Sequence, residues 1–219
     1  MIRLSLNEID ASVKKAARGV GLKWGMAEEA GKSARWLAEH GILDMHAFAS
    51  VLTKHDTDTG WALESAVACL DNVGAARVIC PLILGSWIAD LGSDLNTLIA
   101  SRAFRVLAPS LLVPFLSRLT SSCGLYLALE WPMCRVFCFD GSVAVEGDKQ
   151  ALLISEPVGI AILSAKATAR IWSTEPKSGV TLTEEHDWIK ICEFGHRTYV
   201  PSSALSRQSG AGAGTNDND

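Results

Sequence analysis

Residues 124–147 read GLYLALEWPMCRVFCFDGSVAVEG, and the class of the fold turns on them. From Leu125 the apolar period is two: Leu125, Leu127, Leu129 and Trp131 share one face, as in a strand with one side on a core. Two further runs, CRVFCF and SVAVEG, flank Asp140-Gly141. That dipeptide suits a two-residue type I′ hairpin, which needs positive φ at both central positions. Downstream, ALLIS, GIAILS and ATARIW continue as strand candidates, with turns expected at Glu156-Pro157 and near Lys166. The reading is an antiparallel sheet of about five or six strands. A last helix, EEHDWIKICEFG, follows Thr183.

Upstream of the sheet the period is helical. Ser5 and Glu8 form an S-x-x-E capping box for a first helix carrying Leu6, Ile9, Val13, Ala16 and Ala17, and Gly19 and Gly21 stop it. A second helix covers roughly Met26 to His40 and ends at Gly41. Its stripe of Ala27, Ala30, Gly31, Ala34 and Ala38 lets another helix approach closely, so an αα-hairpin is expected. LDMHAFASVLTK gives a third helix with Asp44 as N-cap, and WALESAVACLDNVG a fourth ending at Gly74. RVICPLIL suits a buried strand or an apolar helix, with Pro81 arguing against a central strand. SDLNTLIASR reads as a short helix capped by Ser93, and PFLSRLTSSCG as another, with Pro114 in its first turn and Gly124 as its stop. Helices first and strands after give the α+β class: one domain over residues 1–205 and a flexible Gly/Ala-rich acidic tail over 206–219.

A chain of 219 residues can bury a substantial core, and 48% hydrophobic with 20% charged residues excludes wholesale disorder. A net charge of -4 and a pI near 5.7, with no basic stripe, argue against nucleic acid and against an anionic membrane surface. The longest apolar run, Val78 to Ala89, is too short for a membrane span and is closed by Asp90. MIRLSLNEID turns polar at once, so no secretory leader is expected, and the six cysteines read as reduced thiols in a cytoplasm. Cys134 and Cys138 form a CxxxC inside a strand, a poor zinc motif.

The glycines of RGVGLKWG do not make a dinucleotide fingerprint, because they follow a helix and the spacing is wrong. Glu28 and Glu29 complement a helix dipole, with Glu28–Lys32 and Arg35–Glu39 pairs expected. Arg18, Trp24 and Glu29 nevertheless gather at one corner, Arg18 and Trp24 as candidates for binding and Glu29 for proton transfer. HDTDTG places Asp56 and Asp58 at positions one and three of a calcium loop, but Gly60 comes one residue early and Val67 stands where a glutamate is needed. The histidines show neither HxxxH nor HExxH, so neither a metal nor another cofactor is expected, and four of the five read as surface residues. The exception is His196, which opens HRTYVP: Arg197 could hold a carboxylate or phosphate there, with Tyr199 or His196 as proton donor. Cys80 lies in apolar surroundings that raise a thiol pKa and leave it inert.

The segments LSLNEID, ARGVGLKWGMAEEAGKSARWLAEHG, HRTYVP and GAGAGTNDND resemble a family of bacterial proteins of about this length known only as a domain of unknown function. The resemblance implies a single-domain bacterial protein and carries no activity. It adds weight to Glu28, Glu29, Arg35, His196, Arg197 and Tyr199. Two functional classes follow. One is a cytoplasmic small-molecule protein, a binder of an acidic metabolite or a metabolic enzyme, with its pocket built from the two ends of the chain. The other is a non-catalytic accessory or assembly subunit, a homo-oligomer or a partner's subunit, whose mean hydropathy of +0.21 reflects an interface. A concave pocket favours the first and a broad exposed apolar patch the second.

Overall fold

The computed structural model describes residues 1–71, 77–92, 104–148, 150–165, 172–174 and 180–199. In chain order these form β1 (Ile2–Ser5), α1 (Leu6–Gly19), α2 (Trp24–Glu39), α3 (Met45–Thr57), α4 (Trp61–Asp71), β2 (Val78–Ile79), α5 (Pro81–Leu91) and β3 (Phe104–Leu107). A 3-10 turn (Pro109–Leu112), α6 (Val113–Cys123), β4 (Tyr126–Trp131), β5 (Cys134–Phe139) and β6 (Ser142–Gly147) come next. A second 3-10 turn (Ala151–Leu153), β7 (Pro157–Ser164), β8 (Trp172–Thr174), β9 (Val180–Thr183) and α7 (Glu185–His196) complete them. The class is α+β: helices lead, and a sheet follows.

The opening hairpin forms as its sequence dictates. Phe139 pairs with Ser142 across Asp140-Gly141, whose φ angles of 46° and 73° are the left-handed values the turn requires. Strands β3 to β8 pair antiparallel in the order β3-β7-β4-β5-β6-β8. These six are the expected antiparallel sheet of about five or six strands, and the two-residue β2 joins its edge parallel to β3, so the sheet as a whole is mixed. Leu127, Leu129 and Trp131 bury their shared face, but Ala128 between them is buried as well, so β4 is covered on both sides. α6 packs against β4 and β5.

RVICPLIL proves to be both of its alternatives: Val78–Ile79 pair in the sheet, and Pro81 then opens α5 as its first residue, where a missing N–H costs nothing. ALLIS is not a strand. Asp148 accepts from the Gln150 amide at 2.8 Å, and Trp131 Nε1 donates to the Ala151 carbonyl at 2.8 Å, which holds Ala151–Leu153 in a 3-10 turn. Of ATARIW only Trp172 is described, as the start of β8. SDLNTLIASR, the 206–219 tail and the end of the fourth helix at Gly74 lie outside the described residues.

The N-terminal helices pack as an antiparallel hairpin. The Ser5–Glu8 capping box is present, and Ala27, Ala30, Ala34 and Leu37 of α2 are fully buried. A Cβ added at Gly31 would lie 2.8 Å from the Asp10 carbonyl oxygen, so only glycine permits that approach to α1. The sequence signals missed three strands, β1, β3 and β9. β1 pairs antiparallel with β9, from Ile2↔Thr183 to Ser5↔Val180, and so ties the start of the chain to the entry of α7. α7 then lies on α1 and α3, and that placement builds the site described next. Among the described residues, no helix is long and apolar enough to cross a membrane.

Candidate functional site

Two helix starts meet at the site. α3 begins at Met45 because the Asp44 carboxylate caps it, accepting from the His46 amide at 3.0 Å. His46 therefore sits in the first turn of α3. α7 begins after Glu184, and Asp187 lies in its first turn, where a carboxylate complements the helix dipole. The packing of α3 on α7 brings these turns together. His46 Nδ1 lies 3.0 Å from Asp187 Oδ1, and His186 Nε2 lies 3.0 Å from the same oxygen. Asp187 is buried, while both imidazoles are largely exposed. The hydrogen bond to Asp187 raises the His46 pKa against the opposing effect of its partial burial. Burial raises that of Asp44.

The cluster lies at a groove of about 650 Å³ between α3, α7 and the segment before β7. His46, Ser50, Lys54, Glu156, His186 and Lys190 line it, with Leu107 at the end of β3. Lys54 donates to Asp58 at 2.9 Å, and Lys190 pairs with Glu193 at 3.4 Å. Ser50 Oγ stands 3.5 Å from His46 Nε2, so hydroxyl, imidazole and carboxylate follow one another in the order of a nucleophile triad. Ser50 is interior to α3, however, where the helical ladder takes the backbone N–H groups that an oxyanion would need. The arrangement is better suited to holding a ligand or cation than to acyl transfer.

The residues singled out in the sequence are placed elsewhere. Arg18 lies over the Trp24 ring at 5.2 Å and donates to the Leu22 carbonyl, closing the corner between α1 and α2. Glu29 faces away from that corner, accepting from Arg118 of α6 and pairing with Lys32 at 3.0 Å. The Lys32 partner is thus Glu29, not Glu28 as expected, whereas Arg35–Glu39 forms at 3.0 Å. HRTY ends α7 in a turn. Arg197 pairs with Asp56 through both carboxylate oxygens, and Tyr199 accepts from Lys15 Nζ at 3.3 Å with the His196 ring beside it. The two ends of the chain do meet: a Cβ at Gly19 would lie 1.8 Å from the Phe194 carbonyl oxygen. The polar groups there are engaged with one another.

Two histidines expected at the surface are buried. His40 stacks on Trp36 at 3.7 Å, and His55 lies 3.1 Å from Cys80 Sγ beneath Trp61. Cys80 is sealed from solvent with its thiol pushed up to about 12, in keeping with an inert residue. The His46–His186–Asp187 cluster escaped the sequence reading because its parts lie 141 residues apart. The one local signal was a histidine beside an acid at each of two helix starts, Asp44-Met-His46 and His186-Asp187.

Neither a curated protein nor a solved structure matches the chain. Residues 4–78, which carry α1 to α4 and with them His46, match the model of a family described as a protein of unknown function (DUF3726), and over those residues the resemblance read from the sequence is shown.

Proposed function

We propose that the chain is a cytoplasmic protein that binds a small acidic metabolite, or an enzyme acting on one, in the groove between α3 and α7. One observation carries the reading: a concavity of small-molecule size whose wall presents Lys54, Lys190 and two imidazoles around a single buried carboxylate. A carboxylate or phosphate entering it would meet cationic donors on both helices. Six free thiols are compatible with a reducing compartment. The accessory-subunit reading draws on exposed apolar side chains such as Leu63 and Val67, one turn apart on α4.

Native mass spectrometry of the purified full chain tests the proposal. The expected result is a small acid retained by the wild type and lost from the Lys54→Ala/Lys190→Ala double variant. A wild-type chain that carries no small molecule and instead retains a second protein would favour the accessory role.

A further inference from the structure

We propose that His46, His186 and Asp187 hold a divalent transition-metal ion at the groove, with its remaining coordination positions open to the ligand. This deepens the reading above, on whose groove it rests, by naming what an acidic ligand would meet there. The donor set is two imidazole nitrogens and one carboxylate oxygen, the mix that binds zinc and its first-row neighbours. The spacing fits. Ligands about 2.05 Å from an ion at the tetrahedral angle stand roughly 3.3 Å apart, and each histidine nitrogen lies close to that spacing, 3.0 Å from Asp187 Oδ1. All three donor atoms lie within 4.8 Å of one another. Closing the two nitrogens onto one ion needs a rotation of the His186 side chain, which is 74% exposed and free to make it.

The surroundings also favour a cation. Asp44 lies beside His46 on α3, and Glu156 faces it across the groove. His46 Nε2, turned away from the donor set, has Ser50 Oγ as an outer partner of the kind that orients a metal-bound imidazole. Three protein ligands leave positions free, as in sites that engage a ligand rather than sites that only brace a fold. The ion would reverse the charge of Asp187 and turn the wall between Lys54 and Lys190 positive, which gives an acidic ligand its anchor. The rival state is Asp187 hydrogen-bonded to the two imidazoles with no ion between them.

The test is calorimetric titration of zinc chloride into the full chain after stripping with a chelator, in a Cys123→Ser background so that the exposed thiol does not compete. The expected result is one saturable site, weakened at least about tenfold by His186→Ala and by Asp187→Asn, and unaffected by Lys32→Ala on α2. His186→Ala changes an exposed residue, so it stays informative even where Asp187→Asn disturbs the helix start. No saturable binding in the wild type, or binding unchanged in His46→Ala/His186→Ala, would overturn the site. Inorganic phosphate binding, measured with and without chelator, separates this proposal from the one beneath it. Zinc bound while phosphate binding ignores Lys54→Ala/Lys190→Ala would retire the groove reading and leave the ion in place. Lysine-dependent phosphate binding with no zinc site would do the reverse.

Discussion

His55 has lost its solvent to the ring of Trp61 and to Cys80, and burial, with Lys54 adding to it, pushes its pKa down to about 4 from an ordinary 6.5. Burial pushes Cys80 the other way, so the pair is a neutral thiol against a neutral imidazole and not a reactive ion pair. The consequence for stability has a definite sign. Below pH 6.5 the unfolded chain takes up a proton that the folded chain refuses until about pH 4. The contribution is therefore complete above 6.5 and is lost as the pH falls toward 4, up to about 3 kcal/mol. Denaturant unfolding on either side of that window should show a steeper loss for the wild type than for His55→Gln; parallel losses would remove His55 as the cause. The thiols divide in the same way. Iodoacetamide should label exposed Cys123 first and spare Cys80 and Cys138, both held near 12, until the chain unfolds. Labelling of Cys138 in the native protein would contradict its burial. The inertness of Cys80 was legible from its apolar neighbours, whereas the burial of His40 and His55 was not, because a histidine on a helix does not announce which face it occupies.

The capping box of α1, the Asp44 cap of α3 and the Asp140-Gly141 hairpin were legible because each is a local device, complete within a few residues. β1 was not. IRLS buries only Leu4, and its partner β9 lies at the other end of the chain, so neither period nor propensity marks it. ALLIS misleads because an apolar run of that length suits a strand and a turn alike, and the Trp131–Ala151 hydrogen bond that decides between them is tertiary. At the seam of the helical hairpin, Ala34 is fully buried, so Ala34→Leu should overpack it and cost about 1–3 kcal/mol in thermal unfolding. An unchanged melting temperature would count against that seam. Gly141→Val forces a β-branched residue to a φ of 73° and should cost roughly 1–2 kcal/mol. Retention of full stability would mean that the hairpin turn differs from type I′.

Across the molecule, the pairing of β1 with β9 and the packing of α7 on α1 and α3 convert two distant helix starts into one site. The α+β class could be read from the order of periods along the chain, but the site could not. Sequence reasoning sought density, and found it in HRTY and at the Arg18, Trp24 and Glu29 corner, whose side chains engage Asp56, Lys15, Leu22 and Arg118. The groove is walled by one face of α3, the start of α7 and the segment before β7, stretches far apart in the chain. The proposed function requires an acidic small molecule to enter between α3 and α7. Amide shift mapping of the isotope-labelled chain during titration with inorganic phosphate tests it most directly. Perturbed amides are expected at residues 46–57, 155–157 and 186–190. Shifts centred instead on residues 18–29 and 196–199, or on none, would contradict it.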